Sequence, residues 1–533
     1  MNVLRLSIFL PDGPVPGWVV RLLDVCGAEP GVILVGVLYD AQPMAAADWA
    51  EQVDRLLFDR GASSLDPVSL ELPGLLPVWR AEAGVAPARW LAERACDVLL
   101  DLRPRPTPIP QLAAEHWMLS IAGRPATDAG AGAQPVVGGD ATTCVALERV
   151  GGGAILDTSV GATCEFSIRR NRRRALAKGI GMVRRALRRM RIQAPPPPQR
   201  DTLPAAAVQP PGAVARVAAV LGRTARRALR KGLSRDQWGI ALAFGDDVCL
   251  DPARAQLILP PPDRFWADPM VWPAGQDGWW VFIEEVLYAE GRGTLQALRV
   301  HRDGRWEAPV PVMARPWHLS YPFLFWWDGA LWMVPESGAN RRVELYRCTR
   351  LPDRWEKFTD LLTDIDLVDA TLFAHDGRWW LLGNVSEPGA DKHDELHAFH
   401  APSPLGPWTP HAANPVVADA RVARPAGPVF ERDGHLLRPA QVCVPEYGHA
   451  LVLRRIEKLT TEEYVERTER RIDPGWLPGI ACVHTLSHEA GLTAFDFLIR
   501  RSRLLPPPAA LRRAVLHGGG EERCDMRRAE VPR

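Results

Sequence analysis

The chain has 533 residues, of which 47% are hydrophobic and 24% charged, with a formal net charge of +1. That length exceeds what one hydrophobic core organises and points to two or three domains. The nine cysteines are scattered without a CxxC pair, which argues against a disulfide framework or a zinc site and for reduced thiols in the cytoplasm.

In chain order, the N-terminal MNVLRLSIFLPDGP has too short an apolar run for a signal peptide. No stretch reaches the roughly 20 apolar residues that a membrane-spanning helix needs. Residues 3–10, 32–39 and 97–102 (DVLLDL) read as buried strands, and 18–26 and 86–95 as helices. This alternation implies a Rossmann-like α/β unit over residues 1–192. Its last part, 167–192, is helical. Ile168, Leu176, Ile180, Val183, Leu187 and Met190 form one stripe, with ten arginines elsewhere. A solvated outer helix is the plain reading of that pattern, and peripheral contact with the anionic inner membrane is the other. Residues 193–235 follow as a Pro-rich linker and a second basic helix. No aromatic-interleaved basic motif for nucleic acid is present.

From 236 to 498 the sequence repeats. An Asp-Gly turn followed by an apolar strand occurs at Asp277, Asp328, Asp376 and Asp433, spaced 51, 48 and 57 residues apart. Another strand precedes each turn, and a degenerate fifth copy starts at Val483. Each turn reads as a hairpin, and a third and a fourth strand follow. Four antiparallel strands recurring five times predict an all-β five-bladed propeller, closed by the strand WGIALAF from Trp238. The chain after 498 reads as a flexible tail.

In that geometry the first strands line the axis and their opening residues meet at one mouth: Asp268, Tyr321, Asp369, Arg424 and His484. The second strands return to the same mouth with Glu285, Glu336, Asn384 and Gln441. Charged groups there break the apolar alternation of their strands and are costly to bury unpaired. Two readings stand: the groups satisfy one another and plug the axis, or they form a polar site with acids held close together. Trp306, Trp355 and Trp408 recur at outer positions and read as structural. Trp266 and Trp317, the latter followed by His318, are the candidates for stacking on a sugar. No metal set is recognised beyond the lone axial His484, and no cofactor is implied.

The blade-opening WADP and VDAT resemble the five-bladed glycosidases of the arabinanase, xylosidase and invertase group. That resemblance implies Asp268 as nucleophile or base and Asp369 as transition-state stabiliser. The general acid of that group lies in blade four, where this chain has Arg424, so Glu336 is the stand-in acid for glycoside cleavage. A longer set of ordered motifs (FWADP, RPWHLSYPF, VPES, VELYRCT, VDATLF, DELHAFHA, SPLGPWTPHAANPV, ARPAG, RPAQ) is similar to the N-terminal region of plant glucosamine inositolphosphorylceramide transferases and their bacterial relatives. In those plant proteins a separate glycosyltransferase domain follows. The first 192 residues resemble a formyltransferase-like domain, but HWMLSIAGRP from His116 has Ile121 and Ala122 where such enzymes keep their histidine. The resemblance therefore implies a degenerate scaffold lacking its acid–base group. Two functions follow: a carbohydrate-active enzyme using Asp268, Asp369 and Glu336 on a glycan or glycoconjugate, or a non-catalytic glycan-binding module partnering a glycosyltransferase.

Overall fold

The computed structural model describes residues 3–43, 48–60, 63–70, 76–80, 84–152, 154–193, 212–504, 506 and 511–512. Most of the expected linker (194–211) and most of the tail lie outside the described residues. Six helices are present among those described: α1 (Gly17–Gly27), α2 (Trp49–Phe58), α3 (Pro87–Ala92), α4 (Ala133–Gly138), α5 (Ile168–Arg191) and α6 (Ala213–Leu233). None is long and apolar enough to cross a membrane.

Leu4–Asp12 is apolar on both faces and becomes the central strand of an eight-stranded sheet. Val32–Pro43 and then Val78–Arg80 pair parallel on one side, and Val98–Asp101 and then Glu115–Ile121 on the other. Thr142–Arg149 and Ile155–Ala162 extend the sheet antiparallel. Periodicity did not single out these last three strands, because Ser, Thr, Glu and Asp interrupt their apolar runs.

α5 overturns the expectation of a solvated helix. Ser167 caps its N-terminus, accepting from the Arg170 amide at 3.0 Å. Leu176, Ile180, Val183 and Leu187 then pack into the core of the N-terminal unit. Its cations are spent on two sets of acids. Within its own unit Arg169 meets Asp59 at 3.3 Å, Arg172 meets Glu51 at 3.5 Å and Arg188 meets Glu29 at 2.8 Å. On the other flank it grips the propeller: Arg174 to Asp391 at 2.9 Å, Arg184 to Glu387 at 2.7 Å, Arg185 to Glu395 at 3.3 Å, and Lys178 to buried Asp394. Edge residue Val160 adds two backbone bonds, to Ala418 at 3.0 Å and from Ala420 at 2.8 Å.

The Lys178–Asp394 pair is sealed in this junction, and burial pushes the Asp394 carboxyl up to about 7 even against the lysine. Removing one member of a buried pair strands the other. Lys178→Met is therefore expected to cost about 3 kcal/mol in denaturant unfolding, and Lys178→Met/Asp394→Leu to recover most of it. Additive losses in the double variant would refute the coupling.

The rest is five sheets around an axis, as the repeat predicts. Blades one to four are four-stranded meanders beginning at Arg264–Pro273, Ser320–Trp327, Leu367–His375 and Phe430–Arg432. The Asp-Gly pairs at 328, 376 and 433 have both residues at positive φ, between 48° and 74°. That is the type I′ geometry whose twist suits a hairpin. The fifth copy makes the same turn with Ala490 and Gly491, while Asp277 ends a short 3₁₀ segment instead. Blade five is stitched from both ends of the repeat. Ser234–Phe244 pairs antiparallel along Leu492–Ser502, so the last strand runs past the expected boundary at 498.

Candidate functional site at the propeller mouth

The first strands of blades one to three share one irregularity. Asp268, Tyr321 and Asp369 occupy equivalent positions with φ of +52°, +43° and +56°. At each, two residues oppose one on the second strand: Asp268 and Pro269 face Ile283, Tyr321 and Pro322 face Pro335, Asp369 and Ala370 face Gly383. These are β-bulges, and they aim a side chain at the axis that a regular pleat would send into the sheet. Left-handed backbone at three non-glycine residues costs on the order of 1 kcal/mol or more each, a form of strain concentrated at functional positions.

Two polar clusters result. In the first, the Asp268 carboxylate accepts from Thr485 Oγ1 at 2.9 Å and from the Tyr321 amide at 3.2 Å. The Asp268 amide donates to Asp496 at 3.1 Å, and Asp496 also receives the His484 and Thr485 amides, both at 2.9 Å. His484 Nδ1 lies 2.5 Å from Asp496 Oδ2, and its ring stacks on Trp238 at 4.1 Å between centroids. In the second cluster, Arg424 grips Asp369 with two prongs, Nε at 2.6 Å and Nη2 at 3.2 Å, and Gln441 donates to the same carboxylate at 3.2 Å. Arg424 also lies 3.6 Å from Glu336, donates to His393 Nδ1 at 2.8 Å, and packs 4.8 Å from the Tyr447 ring centre. His393 in turn contacts Asp391 at 3.2 Å, the acid that Arg174 of α5 holds.

The site residues expected from sequence therefore divide. Asp268, Asp369, Glu336, Arg424, Gln441 and His484 converge on the axis. Tyr321 points below the acids, its hydroxyl meeting Thr371 at 2.8 Å and receiving the Gly427 amide at 2.8 Å, and it is wholly buried. Gly427 is required there, because a Cβ would come within 1.8 Å of the Leu486 carbonyl. Asn384 is buried and donates to the Lys392 carbonyl. His318 stands 44% exposed at the rim, bonded to Glu284 at 3.0 Å.

Two expectations fail. Glu285 lies on the opposite face of its strand, accepting from Trp266 Nε1 at 2.9 Å and facing Arg264 at 3.2 Å. The bulge at Asp268 makes Glu284 the counterpart of Glu336 and Asn384, and a one-residue slip exchanges faces. Trp266 is buried in the core between blades one and five, edge-on to Trp306, and offers no platform to a sugar. Trp317 is half-buried against the blade-two core, its Nε1 buried and without a hydrogen-bond partner. The aromatic face that does reach the rim is Tyr447, 38% exposed. Sequence reasoning missed Glu284, His393, Tyr447, Thr485 and Asp496. Asp496 alone left a clear mark, as a charge inside the apolar run TAFDFLI.

Burial separates the protonation states. Asp268 is pushed up to about 7 by burial and by the negative charges of Glu284, Asp369 and Asp496, with His484 opposing. Burial and neighbouring Asp369 raise Glu336 well above the ordinary carboxylate range, and its Oε2 has no hydrogen-bond partner. His484 is disfavoured as a cation by burial, yet Asp496 and Asp268 carry it up to about 9. His393 is held down to about 4 by burial and by Arg424. The mouth thus presents a glutamate with raised proton affinity, a neutral histidine and a fixed guanidinium–carboxylate pair.

Two groups among the described residues bring three metal-capable atoms within 4.8 Å of one another. Asp268, His484 and Asp496 lie at the axis, with Asp496 already accepting three amides. Glu446, His449 and Cys482 lie outside the funnel, where Arg230 and Arg500 engage the glutamate.

The protein is thus a five-bladed propeller with a charged axial site, joined to an α/β unit. Residues 254–472 match the family described as glucosamine inositolphosphorylceramide transferase 1, N-terminal. Over 209 residues, 38% of this chain, it is 36% identical to the rice (Oryza sativa subsp. japonica) protein of that name and covers 28% of that relative. The Arabidopsis thaliana protein is 35% identical over the same length, with 27% of it covered. The chain therefore spans less than a third of the curated relatives it matches. Among solved structures, the family 117 glycoside hydrolase Zg3597 of Zobellia galactanivorans aligns at 12% identity and a TM-score of 0.33, covering 49% of this chain and 90% of that one. The α-L-arabinanase of Cellvibrio cellulosa aligns at 13% and 0.31, covering 44% and 86%.

Proposed function

We propose that the propeller mouth recognises a glycan or the sugar headgroup of a glycoconjugate, and that it acts as a binding module for a glycosyltransferase supplied elsewhere. The observation that carries this is the two-pronged Arg424–Asp369 pair. The blade-four position that would hold an acid in the glycosidase resemblance holds a guanidinium. That guanidinium neutralises the very carboxylate expected to stabilise a cationic transition state. What remains open to a ligand is suited to sugar hydroxyls: Tyr447 as a flat face, with His318 and Glu336 as hydrogen-bonding groups. The transferase named in the matching relatives supports a role beside glycolipid or polysaccharide assembly. The first 192 residues serve as a formyltransferase-like scaffold without the transfer chemistry, since Ile121 and Ala122 stand where such enzymes keep their histidine. The free thiols among the described cysteines are consistent with a cytoplasmic setting.

One observation favours a catalytic alternative. Asp268, raised to about 7, and Glu336, raised well above the ordinary carboxylate range, are two buried carboxyls at one mouth, and shifted acids of this kind serve as base and acid in glycoside cleavage. A glycan array followed by turnover assays on the best hit separates the two. The binding module requires that wild type and Asp268→Asn bind alike and release no product. Product from wild type that disappears in Asp268→Asn would replace this reading with hydrolysis or transfer.

A further inference from the structure

Two helices in this chain are rich in arginine, and they use it differently. α5 buries its apolar row and pairs its cations with acids. α6 has its apolar row on the outside. Its inner face is anchored: Val220 is buried, Arg216 is bonded to Asp48, and Val217 and Leu221 line a groove with Ala50, Val53 and Leu57 of α2. Arg223 donates to the Val137 carbonyl at 3.0 Å.

On the opposite side, Val214, Ala218, Ala225 and Leu229 follow one another at helical spacing, with Leu221 at the margin of the groove and Leu233 at the end. Val214 is 74% exposed and Leu229 63%. Neighbouring α2 continues this surface with exposed Trp49, Leu56 and Leu57. A surface helix ordinarily turns its polar side outward, so a row of this kind has no explanation within the fold.

Charge identifies what would cover it. α6 has six basic residues and no Asp or Glu. Arg226 and Lys231 are exposed on the flanks of the helix, whereas Arg227 turns back over the Phe166 ring at 5.0 Å. Alanines and glycines make the row shallow, without the protruding anchors that fill a pocket on a protein partner. Apolar side chains a few ångströms deep, cations at their margin and a tryptophan nearby are the features of a helix lying in the plane of a lipid surface.

We propose that α6, with the exposed edge of α2, docks on an anionic membrane, its leucines in the headgroup–acyl boundary and its cations against lipid phosphates. At the far end of the helix Arg230 holds Glu446 at 3.3 Å, next to Tyr447 on the funnel rim. A bilayer under α6 therefore runs close to the propeller mouth, which suits a headgroup-linked sugar but does not depend on the sugar reading.

The test is co-sedimentation of the full chain with phosphatidylcholine vesicles, with and without about one-third phosphatidylglycerol. Binding is expected with the anionic vesicles only, falling as salt rises through the range where the Debye length shrinks below about 10 Å. Val214→Ser/Leu229→Ser, which keeps the charge, is expected to weaken binding about tenfold, and Arg226→Glu/Lys231→Glu at least as much. Both pairs are exposed, so thermal unfolding of each variant should match wild type. Equal binding to neutral vesicles, no binding to either, or a serine variant that binds like wild type would overturn the proposal. So would a partner protein that occupies α6 in the absence of lipid binding.

Discussion

Arg424→Met is expected to lower the unfolding free energy of the propeller by about 3–5 kcal/mol, the cost of leaving a buried carboxylate without its counter-charge. Asp369 would retain the Gln441 amide at 3.2 Å and the neighbouring Glu336 carboxyl, neither of which carries a compensating positive charge. For a unit of this size the loss corresponds to a fall in melting temperature of roughly 6–20 °C. Arg424→Lys keeps the charge but loses the fork and should fall between the two. Arg424→Met/Asp369→Asn removes the stranded charge and should recover much of the loss. If the single Met variant melts within a degree of wild type, the pair is not the central tie of the funnel.

The second large effect is a dependence on pH. A free histidine titrates near 6.5, whereas His484 is raised to about 9. A group raised in the fold binds its proton more tightly there than in the unfolded chain. Its stabilisation is therefore complete below about 6.5 and is lost as pH rises through 9. Linkage puts the His484 contribution at up to roughly 3 kcal/mol. Asp268, raised to about 7, works in the same direction over a lower window. The fold keeps its proton between about pH 4 and 7, where the unfolded chain would release it, so stability falls as pH climbs through that range. Denaturant unfolding at fixed pH should thus show midpoints that decline steadily from pH 5 to 9.5. His484→Gln should flatten the portion above 7. A flat wild-type profile between 6.5 and 9, or a variant curve running parallel to it, would contradict the assigned ion pair with Asp496.

Much of the propeller was legible because turn chemistry is local. An Asp-Gly pair supplies two residues that tolerate positive φ, so the hairpins at 328, 376 and 433 announce themselves wherever they fall. The axial acids followed from the repeat by counting along equivalent strands. Register was not legible. The bulges at Asp268, Tyr321 and Asp369 are relations between two strands, and without them Glu285 and Glu284 are indistinguishable in a sequence that places them side by side. The burial of Trp266 was hidden for the same reason. α5 shows the other kind of failure: an arginine-rich helix looks solvated until its acids are found, and Asp391, Asp394 and Glu395 lie about two hundred positions away. Asp496 was missed because it lies in the middle of the return strand Leu492–Ser502, whereas the other second-strand groups at the mouth stand near the ends of theirs.

Blade five gives the molecule a seam. Its longest contact joins a strand that begins immediately after α6 to one that ends near the last described residues, so the ring is fastened like a belt whose two ends overlap. Cutting the backbone between α6 and Gly245 and discarding the N-terminal side would strip a full strand from Leu492–Ser502. Its amides and carbonyls would then be open to any passing chain. A trimmed version beginning at the first Asp-Gly repeat would therefore tend to associate with copies of itself. The helix proposed to touch lipid is covalently the strap that keeps the wheel shut.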